Sequence, residues 1–148
     1  DVVEFDGRYL GLEDLALAVR QADVVVLPYE STEQVTSGVL VEALAAGKPV
    51  VASAFPHAVE LLGTGAGIVV PHGDSSALTA ALRSVLTDPS LAARMAAEAR
   101  KIGSTLLWPA IAGRYDQMAT KLVARHQADR VLVTANQPEV SDGLAQVS

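Results

Sequence analysis

The chain has 148 residues and a mass of 15.4 kDa, which is the size of one domain, and half of its residues are hydrophobic, so it can form a core. Its formal charge is −6, from 11 basic and 17 acidic residues, which argues against binding to nucleic acid or to an acidic membrane surface. It has no cysteine, so disulfides, thiolate metal sites and a cysteine nucleophile are excluded.

Three further absences in the sequence bear on location and metal binding. No apolar run approaches the roughly 18 residues of a membrane span. The first six residues carry three acids, unlike the basic start of a signal peptide, so we expect a cytoplasmic protein. The histidines His57, His72 and His126 lie far apart, so no metal site is expected.

The first half of the chain alternates short apolar strands with helices. Strands are predicted at Val2 to Phe5, Val24 to Leu27 and Pro49 to Ala52. Helices are predicted between them at Glu13 to Ala22 and Gly38 to Ala46, the second capped by Gly47. The continuous β-branched run before Pro28 is typical of a parallel strand that is covered on both faces.

The second half continues the alternation and then becomes helical. We predict a helical turn at Ala58 to Leu62, a strand at Gly67 to Val70, and helices from Asp74 or Ser75 to Leu86, from Asp88 to Gly103 and from Pro109 to Arg125. This pattern indicates an α/β fold, with a parallel sheet and helices on both faces.

Residues 126–148 differ in composition, and we expect a mostly irregular tail there, after a domain at residues 1–125. Within the tail, Arg130 to Thr134 is either a transient apolar segment or one short strand.

The segment from Pro28 to Ser53 carries most of the functional information. Between Val35 and Gly47 the only ionisable side chain is Glu42, on a helix that is otherwise apolar. A carboxylate in such a helix must find donors or face a cavity. The helix starts after a strand, through Thr36, Ser37 and Gly38, and free amides at a helix start bind anions.

Two interpretations of this segment remain open on pattern alone. Glu42 can accept hydrogen bonds from two sugar hydroxyls while the helix amides hold phosphate, in the crevice where open α/β sheets bind nucleotides. Alternatively, Glu42 pairs with Lys48, Arg8 or another base, and residues 36–38 are only a helix cap.

The sequence resembles the C-terminal, donor-binding half of a GT-B glycosyltransferase of family 4 (glycosyl transferases group 1). The resemblance rests on Leu27-Pro28 and on the run from Glu42 to Ser53, EALAAGKPVVAS. It extends to Val3, Phe5 and Gly7 with Glu13 to Val26 before this run, and to Glu60 with Gly65 to Asp74 and Leu106 to Tyr115 with Trp108 after it. The resemblance therefore covers about residues 1–125. It implies a partial doubly wound, Rossmann-like parallel sheet from the second domain of a GT-B enzyme, with the first two strands of the domain missing.

The resemblance also implies roles for individual residues. Glu42 matches the glutamate that holds the ribose hydroxyls, and Gln34 falls where the family has a first glutamate that touches the donor sugar. A neutral amide can both donate and accept, so sugar contact is compatible with Gln34. The helix start that meets the diphosphate matches Ser37, Gly38 and Val39, and Thr36 just before them is a further donor-binding candidate. The loop beside the base matches Tyr9 and Leu10. We interpret His57 as a surface loop histidine.

The activity implied by the resemblance is transfer of a sugar from a nucleotide diphosphate sugar to an acceptor, with retention at the anomeric carbon and without a metal. The alternatives are a nucleotide-sugar epimerase or phosphorylase on the same scaffold, or a noncatalytic nucleotide-sugar-binding domain, which Gln34 favours. The implied partner is an N-terminal acceptor domain that this chain lacks, so we expect the chain alone to be inactive. The strand at Val24 to Leu27 should have an open edge, where we expect a homodimer contact.

Overall fold

The computed structural model describes residues 3–33 and 35–135. Its sheet has three parallel strands: β1 (Val25–Leu27), β2 (Val50–Ser53) and β3 (Gly67–Val70). They lie in the order β1-β2-β3, with Val25 opposite Val50 and Val50 opposite Gly67. The predicted strands at these places and their parallel arrangement are confirmed.

Six helices accompany the strands in the described part of the chain. They are α1 (Leu12–Gln21), α2 (Gly38–Ala45), α3 (Pro56–Leu62), α4 (Ser75–Thr87), α5 (Pro89–Leu106) and α6 (Trp108–Ala135). The described residues fall into two units, divided after Ala110, and the second unit contains the rest of α6.

Side chains that alternate along β2 separate two hydrophobic clusters, as the pleat of a strand requires. Val50 and Ala52 pack in a cluster with Leu40 and Leu44 of α2, whereas Val51 packs in another with residues of α4 and α5. Helices therefore cover both faces of the sheet, as the apolar runs predicted.

The C-terminal end of α2 is closed by a glycine, as predicted. Gly47 has a positive φ of 67°, and its amide donates to the carbonyl of Leu44 at 3.0 Å. The next amide, of Lys48, donates to the carbonyl of Ala43 at 2.9 Å. This pair of bonds is a Schellman motif, and the left-handed conformation at its centre explains the glycine.

Gly103 lies within α5, so the predicted helix end at this position is wrong. The residue is buried, and a Cβ atom there would fall 2.7 Å from the Cα of Ala45 and even closer to the backbone carbonyl of Leu44. Glycine at this position lets the backbones of α5 and α2 approach closely. It permits a helix crossing and does not terminate the helix.

One predicted strand, and another that was considered, are absent from the described residues. Residues Val3 to Phe5 form no strand, and the Phe5 side chain is 91% exposed. The short strand considered at Arg130 to Thr134 is helical, because α6 runs to Ala135 and does not end near Arg125. Beyond Ala135 the predicted irregular tail lies outside the described residues, and the limit of 125 for the domain stays a prediction.

Candidate functional site

The carboxyl ends of the three strands meet at one edge of the sheet because all three strands are parallel. The loops that follow them enclose a cavity of about 200 Å³. Its lining residues come from all three strand ends and from the start of α4: Pro28, Tyr29, Glu30, Ser53, Val70, Pro71, Gly73, Asp74, Ser75 and Leu78. Open α/β sheets bind ligands at this edge. The residues predicted to bind the donor at the start of α2 and at Glu42 do not line this cavity.

Hydrogen bonds to the backbone of Tyr29 connect the three strand-end loops. The buried hydroxyl of Ser53 donates to the carbonyl of Tyr29 at 2.7 Å and approaches the carbonyl of Leu27 at 3.3 Å. Nδ1 of His72 lies 3.0 Å from the carbonyl of Tyr29. A carbonyl only accepts, so this ring nitrogen of His72 carries the proton.

Ser37 caps α2 and is held by side chains from two other segments. Its hydroxyl accepts a hydrogen bond from the amide of Leu40 at 3.2 Å, and it lies 3.1 Å from the hydroxyl of Tyr29. Its own amide donates to Nδ1 of His57 at 3.1 Å. Ser37 is buried, so these bonds replace water that it would otherwise bind.

The next two amides, of Gly38 and Val39, have no hydrogen-bond acceptor within the part of the chain that the structure describes. Apart from its chain neighbours and the backbone of its own helix, no atom of the described residues lies within 4 Å of the position that a Cβ of Gly38 would take. There is no acidic residue in the first turn of α2 to occupy these donors. The start of α2 therefore has two unpaired amides, with open space beside Gly38, which suits an anion.

Glu42 lies one turn further along α2 and is half-buried. It lines a shallow pocket of about 200 Å³ between α1 and α2, together with Ala16, Val19, Arg20, Ala45 and Ala46. Among the described residues it forms no ion pair, so the alternative of a pair with Lys48 or Arg8 is wrong, and Arg8 pairs with Asp6 instead. Its carboxylate is therefore available to a ligand on the α1 side of α2.

The other predicted site residues are not brought together with Glu42. The Tyr9 side chain is fully exposed and Leu10 half-buried, in a segment without regular structure. Thr36 is exposed, just before the cap of α2. Gln34 lies outside the described residues, so its position relative to the crevice stays a prediction.

Sequence reasoning missed the polar residues that join the loops, and it placed His57 in a surface loop, whereas His57 lies in the first turn of α3. His57 is half-buried, and its ring accepts a backbone hydrogen bond. A usable signal existed: Tyr29, Ser53 and His72 each stand at or within two residues of the end of an apolar strand. Polar side chains at the carboxyl ends of adjacent parallel strands should have been grouped together.

Two searches of the described residues gave negative results. The described side chains, those of residues 3–33 and 35–127, include no group of three histidine, aspartate or glutamate residues placed to hold a metal ion. Over residues 3–33 and 35–135, no helix has the length and apolar character needed to cross a membrane.

Comparison with known proteins places this chain in a family. The profile of the family described as "Glycosyl transferases group 1" matches residues 1–88, which include β1, α2, β2 and β3. A phosphatidyl-myo-inositol mannosyltransferase of Mycobacterium leprae (strain TN) is 38% identical, over 76% of this chain and 32% of its own length.

Solved structures show the same fold. A sucrose-phosphate synthase from Thermosynechococcus elongatus matches with a TM-score of 0.60 and 33% identity, over 76% of this chain and 28% of its own. Anabaena HepE in complex with UDP-glucose matches with a TM-score of 0.63 and 28% identity, over 75% of this chain and 30% of its own. The chain thus spans about a third of the length of these relatives. Its α/β architecture is part of a GT-B, Rossmann-like domain, and the chain belongs to the glycosyl transferases group 1 family.

Proposed function

We propose that this chain is the donor-binding part of a longer, retaining glycosyltransferase that moves a sugar from a nucleotide diphosphate sugar to an acceptor. The observation that carries the proposal is the start of α2, where the unpaired amides of Gly38 and Val39 precede the unpaired carboxylate of Glu42 by one turn. The family and the HepE complexes, with UDP-glucose and with UDP, support a nucleotide sugar as ligand.

In this proposal the two amides and the positive end of the α2 dipole bind the diphosphate. Glu42 accepts hydrogen bonds from the ribose hydroxyls, on the side of α2 that faces α1. Tyr9 and Leu10 lie against the base, and the donor binds without a metal. The leaving diphosphate carries the charge that develops in the transition state, so fixed donors aimed at it lower the barrier. Acceptor binding falls to an N-terminal domain outside this chain.

The test is calorimetric titration of the complete enzyme with UDP, GDP and ADP. For the nucleotide that binds, Glu42→Ala should weaken binding by about 1.5–3 kcal/mol, the range for hydrogen bonds to a charged group. Glu60→Ala is the matched control, because Glu60 is an exposed acid on α3 and should leave binding unchanged. Equal binding by the Glu42 variant and the wild type, both folded, would disprove the assignment. Addition of EDTA should leave the affinity unchanged.

Gln34 gives a second test, which concerns the sugar end of the donor. It stands eight residues before Glu42, in the register of the family's first glutamate. We expect Gln34→Glu to alter turnover or sugar preference and to leave the affinity for the free nucleotide nearly unchanged. A change in nucleotide affinity as large as the change in turnover would show that Gln34 does not contact the sugar.

Gln34, a neutral residue where the family has a glutamate, also favours a second candidate function, a noncatalytic domain that binds a nucleotide sugar. A glycosyltransferase would release nucleoside diphosphate when the complete enzyme is given a nucleotide sugar and an acceptor, whereas a noncatalytic domain would not. A panel of nucleotide sugars and acceptors tests this. An epimerase or phosphorylase would instead interconvert sugars or consume phosphate in the same assay. A cytoplasmic location remains a proposal from the sequence alone.

The open edge of the sheet supports a proposal about assembly. Among the described residues β1 pairs only with β2, so its other backbone edge has no strand beside it. We propose that the isolated chain associates with a second copy at this edge, since unpaired strand edges act as templates for pairing. Light scattering should give a mass above that of a monomer. A monomer at high concentration whose β1 amides resist hydrogen exchange would contradict this.

A further inference from the structure

The turn between β1 and α2 is fixed by residues that the proposed function does not use. Tyr29 comes from the end of β1 and His57 from the start of α3, and both contact Ser37, at the hydroxyl and the amide respectively. His57 is 20 residues away from Ser37 in sequence. The cap of α2 is therefore held from outside its own helix as well as by the usual bond to Leu40.

The direction of the bond to His57 determines which ring nitrogen carries the proton. The Ser37 amide can only donate, so Nδ1 of His57 accepts and is unprotonated. The neutral ring then carries its proton on Nε2. No buried polar side-chain atom in the described residues lacks a hydrogen-bond partner, and Nε2 forms no hydrogen bond within them, so this second nitrogen is accessible to solvent.

These contacts also decide which amides at the start of α2 can meet an anion. The Ser37 amide is occupied by His57, and the Leu40 amide is occupied by the Ser37 hydroxyl. Between them only Gly38 and Val39 present unpaired amides. The family resemblance assigned the Ser37 amide to the diphosphate as well, and this geometry assigns it to His57.

We propose that His57 and Tyr29 are positioning residues for the diphosphate: they fix the turn at Ser37 so that the amides of Gly38 and Val39 are oriented for the anion before it binds. The proposal rests on the proposed function. Phe55, the residue that caps α3, is fully buried against the Tyr29 ring at a centroid distance of 5.0 Å, so the two positioning side chains share one support. A turn that is already ordered does not lose conformational entropy on binding, and affinity rises accordingly.

Three substitutions of His57 separate positioning from direct contact. Asparagine places an acceptor oxygen where Nδ1 lies, glutamine places a donor nitrogen near Nε2, and alanine supplies neither. In the complete enzyme we expect His57→Ala to weaken binding of the nucleoside diphosphate that the wild type binds (UDP, GDP or ADP) about tenfold. His57→Asn should recover most of this loss, and His57→Gln should not. Tyr29→Phe, which removes only the hydroxyl, should weaken binding by a smaller factor.

A measurement without ligand checks the same geometry. The ¹⁵N spectrum of the free protein should show His57 with its proton on Nε2, and the Ser37 amide should exchange with solvent faster in His57→Ala than in His57→Asn. Recovery of nucleotide binding by glutamine and not by asparagine would overturn the proposal, because His57 would then contact the ligand itself. Wild-type binding by every His57 variant, with Glu42→Ala still weakened, would overturn it and leave the proposed function intact. Absence of nucleotide binding in the wild type would overturn both.

Discussion

Two regions that the family resemblance assigns to one site differ in how they are held. The strand-end loops carry a connected set of hydrogen bonds among Tyr29, Ser37, Ser53, His57 and His72. The segment from Val3 to Gly11 has neither strand nor helix, and the pair that Asp6 and Arg8 form within it is exposed.

The difference shows what a binding loop needs in order to be preorganised. Each strand-end loop follows directly on a hydrogen-bonded strand of the sheet, so a few polar side chains suffice to fix it. The N-terminal segment contains residues of strand-forming type, but within residues 3–33 and 35–135 no strand pairs with it. Strand propensity alone does not produce a strand, because a strand gains its stability from pairing and burial.

The two phenylalanines of the chain give the largest expected contrast, since one lies in each region. Phe55 is completely buried and Phe5 is 91% exposed. We expect Phe55→Ala to lower the free energy of unfolding by about 3–5 kcal/mol, the cost of truncating a core aromatic residue. Phe5→Ala should change it by less than about 0.5 kcal/mol. Urea denaturation of both variants measures this, and similar losses would show that the N-terminal segment is packed.

A second contrast uses two glycines in helices. A side chain at Gly103 would collide with the backbone of α2, whereas nothing lies within 4 Å of a Cβ at Gly113. We expect Gly103→Val to destabilise the chain by about 1–3 kcal/mol or more, and to weaken nucleotide binding because α2 is displaced. Gly113→Ala should be neutral or stabilise by up to about 1 kcal/mol. Thermal unfolding that ranks the two variants in the opposite order would refute the close approach of α5 and α2.

A smaller effect is expected from two serines that precede helix α2. Ser37→Ala removes a buried cap and the bond to Tyr29, and should cost about 1–2 kcal/mol of unfolding free energy. Ser31 also accepts a backbone bond, from the amide of Glu33, but it is exposed. Ser31→Ala should therefore cost less than about 0.5 kcal/mol. Equal losses of unfolding free energy in the two variants would show that the buried cap of α2 stabilises the chain no more than an exposed serine does.

The smallest effect concerns the exposed pair in the N-terminal segment. The Arg8 side chain, and then its backbone amide, donate hydrogen bonds that hold the pKa of Asp6 below its usual range. Arg8→Ala should raise this pKa, which an NMR titration of the carboxyl group can follow. A lowered pKa in the folded state stabilises above the unfolded pKa, and this contribution disappears as the pH falls through the folded pKa. Because both side chains are exposed, the unfolding midpoint at neutral pH should not change.

Features that depend on residues nearby in sequence could be predicted, whereas features that depend on contacts between distant residues could not. The strand β3, the cap at Gly47 and the helix starts at Asp74 and Asp88 depend on neighbouring residues, and the sequence was sufficient for them. The predicted helix end at Gly103 was wrong because the glycine is required by the close approach of another helix, α2. The bond from Ser37 to His57 joins residues that only the folded sheet brings together, so no local pattern indicates it.

The junction of α4 and α5 consists of a single residue. Asp88 donates its amide to the carbonyl of Ser84, at 3.1 Å, and its carboxylate accepts from the amides of Ser90 and Leu91, at 2.9 and 3.0 Å. One side chain thus closes one helix and opens the next, with Pro89 directly after it. Proteases need several residues of extended backbone, and this corner offers them none. An inserted residue would also separate the two caps that Asp88 combines, so the length of this junction is as constrained as a position in the core.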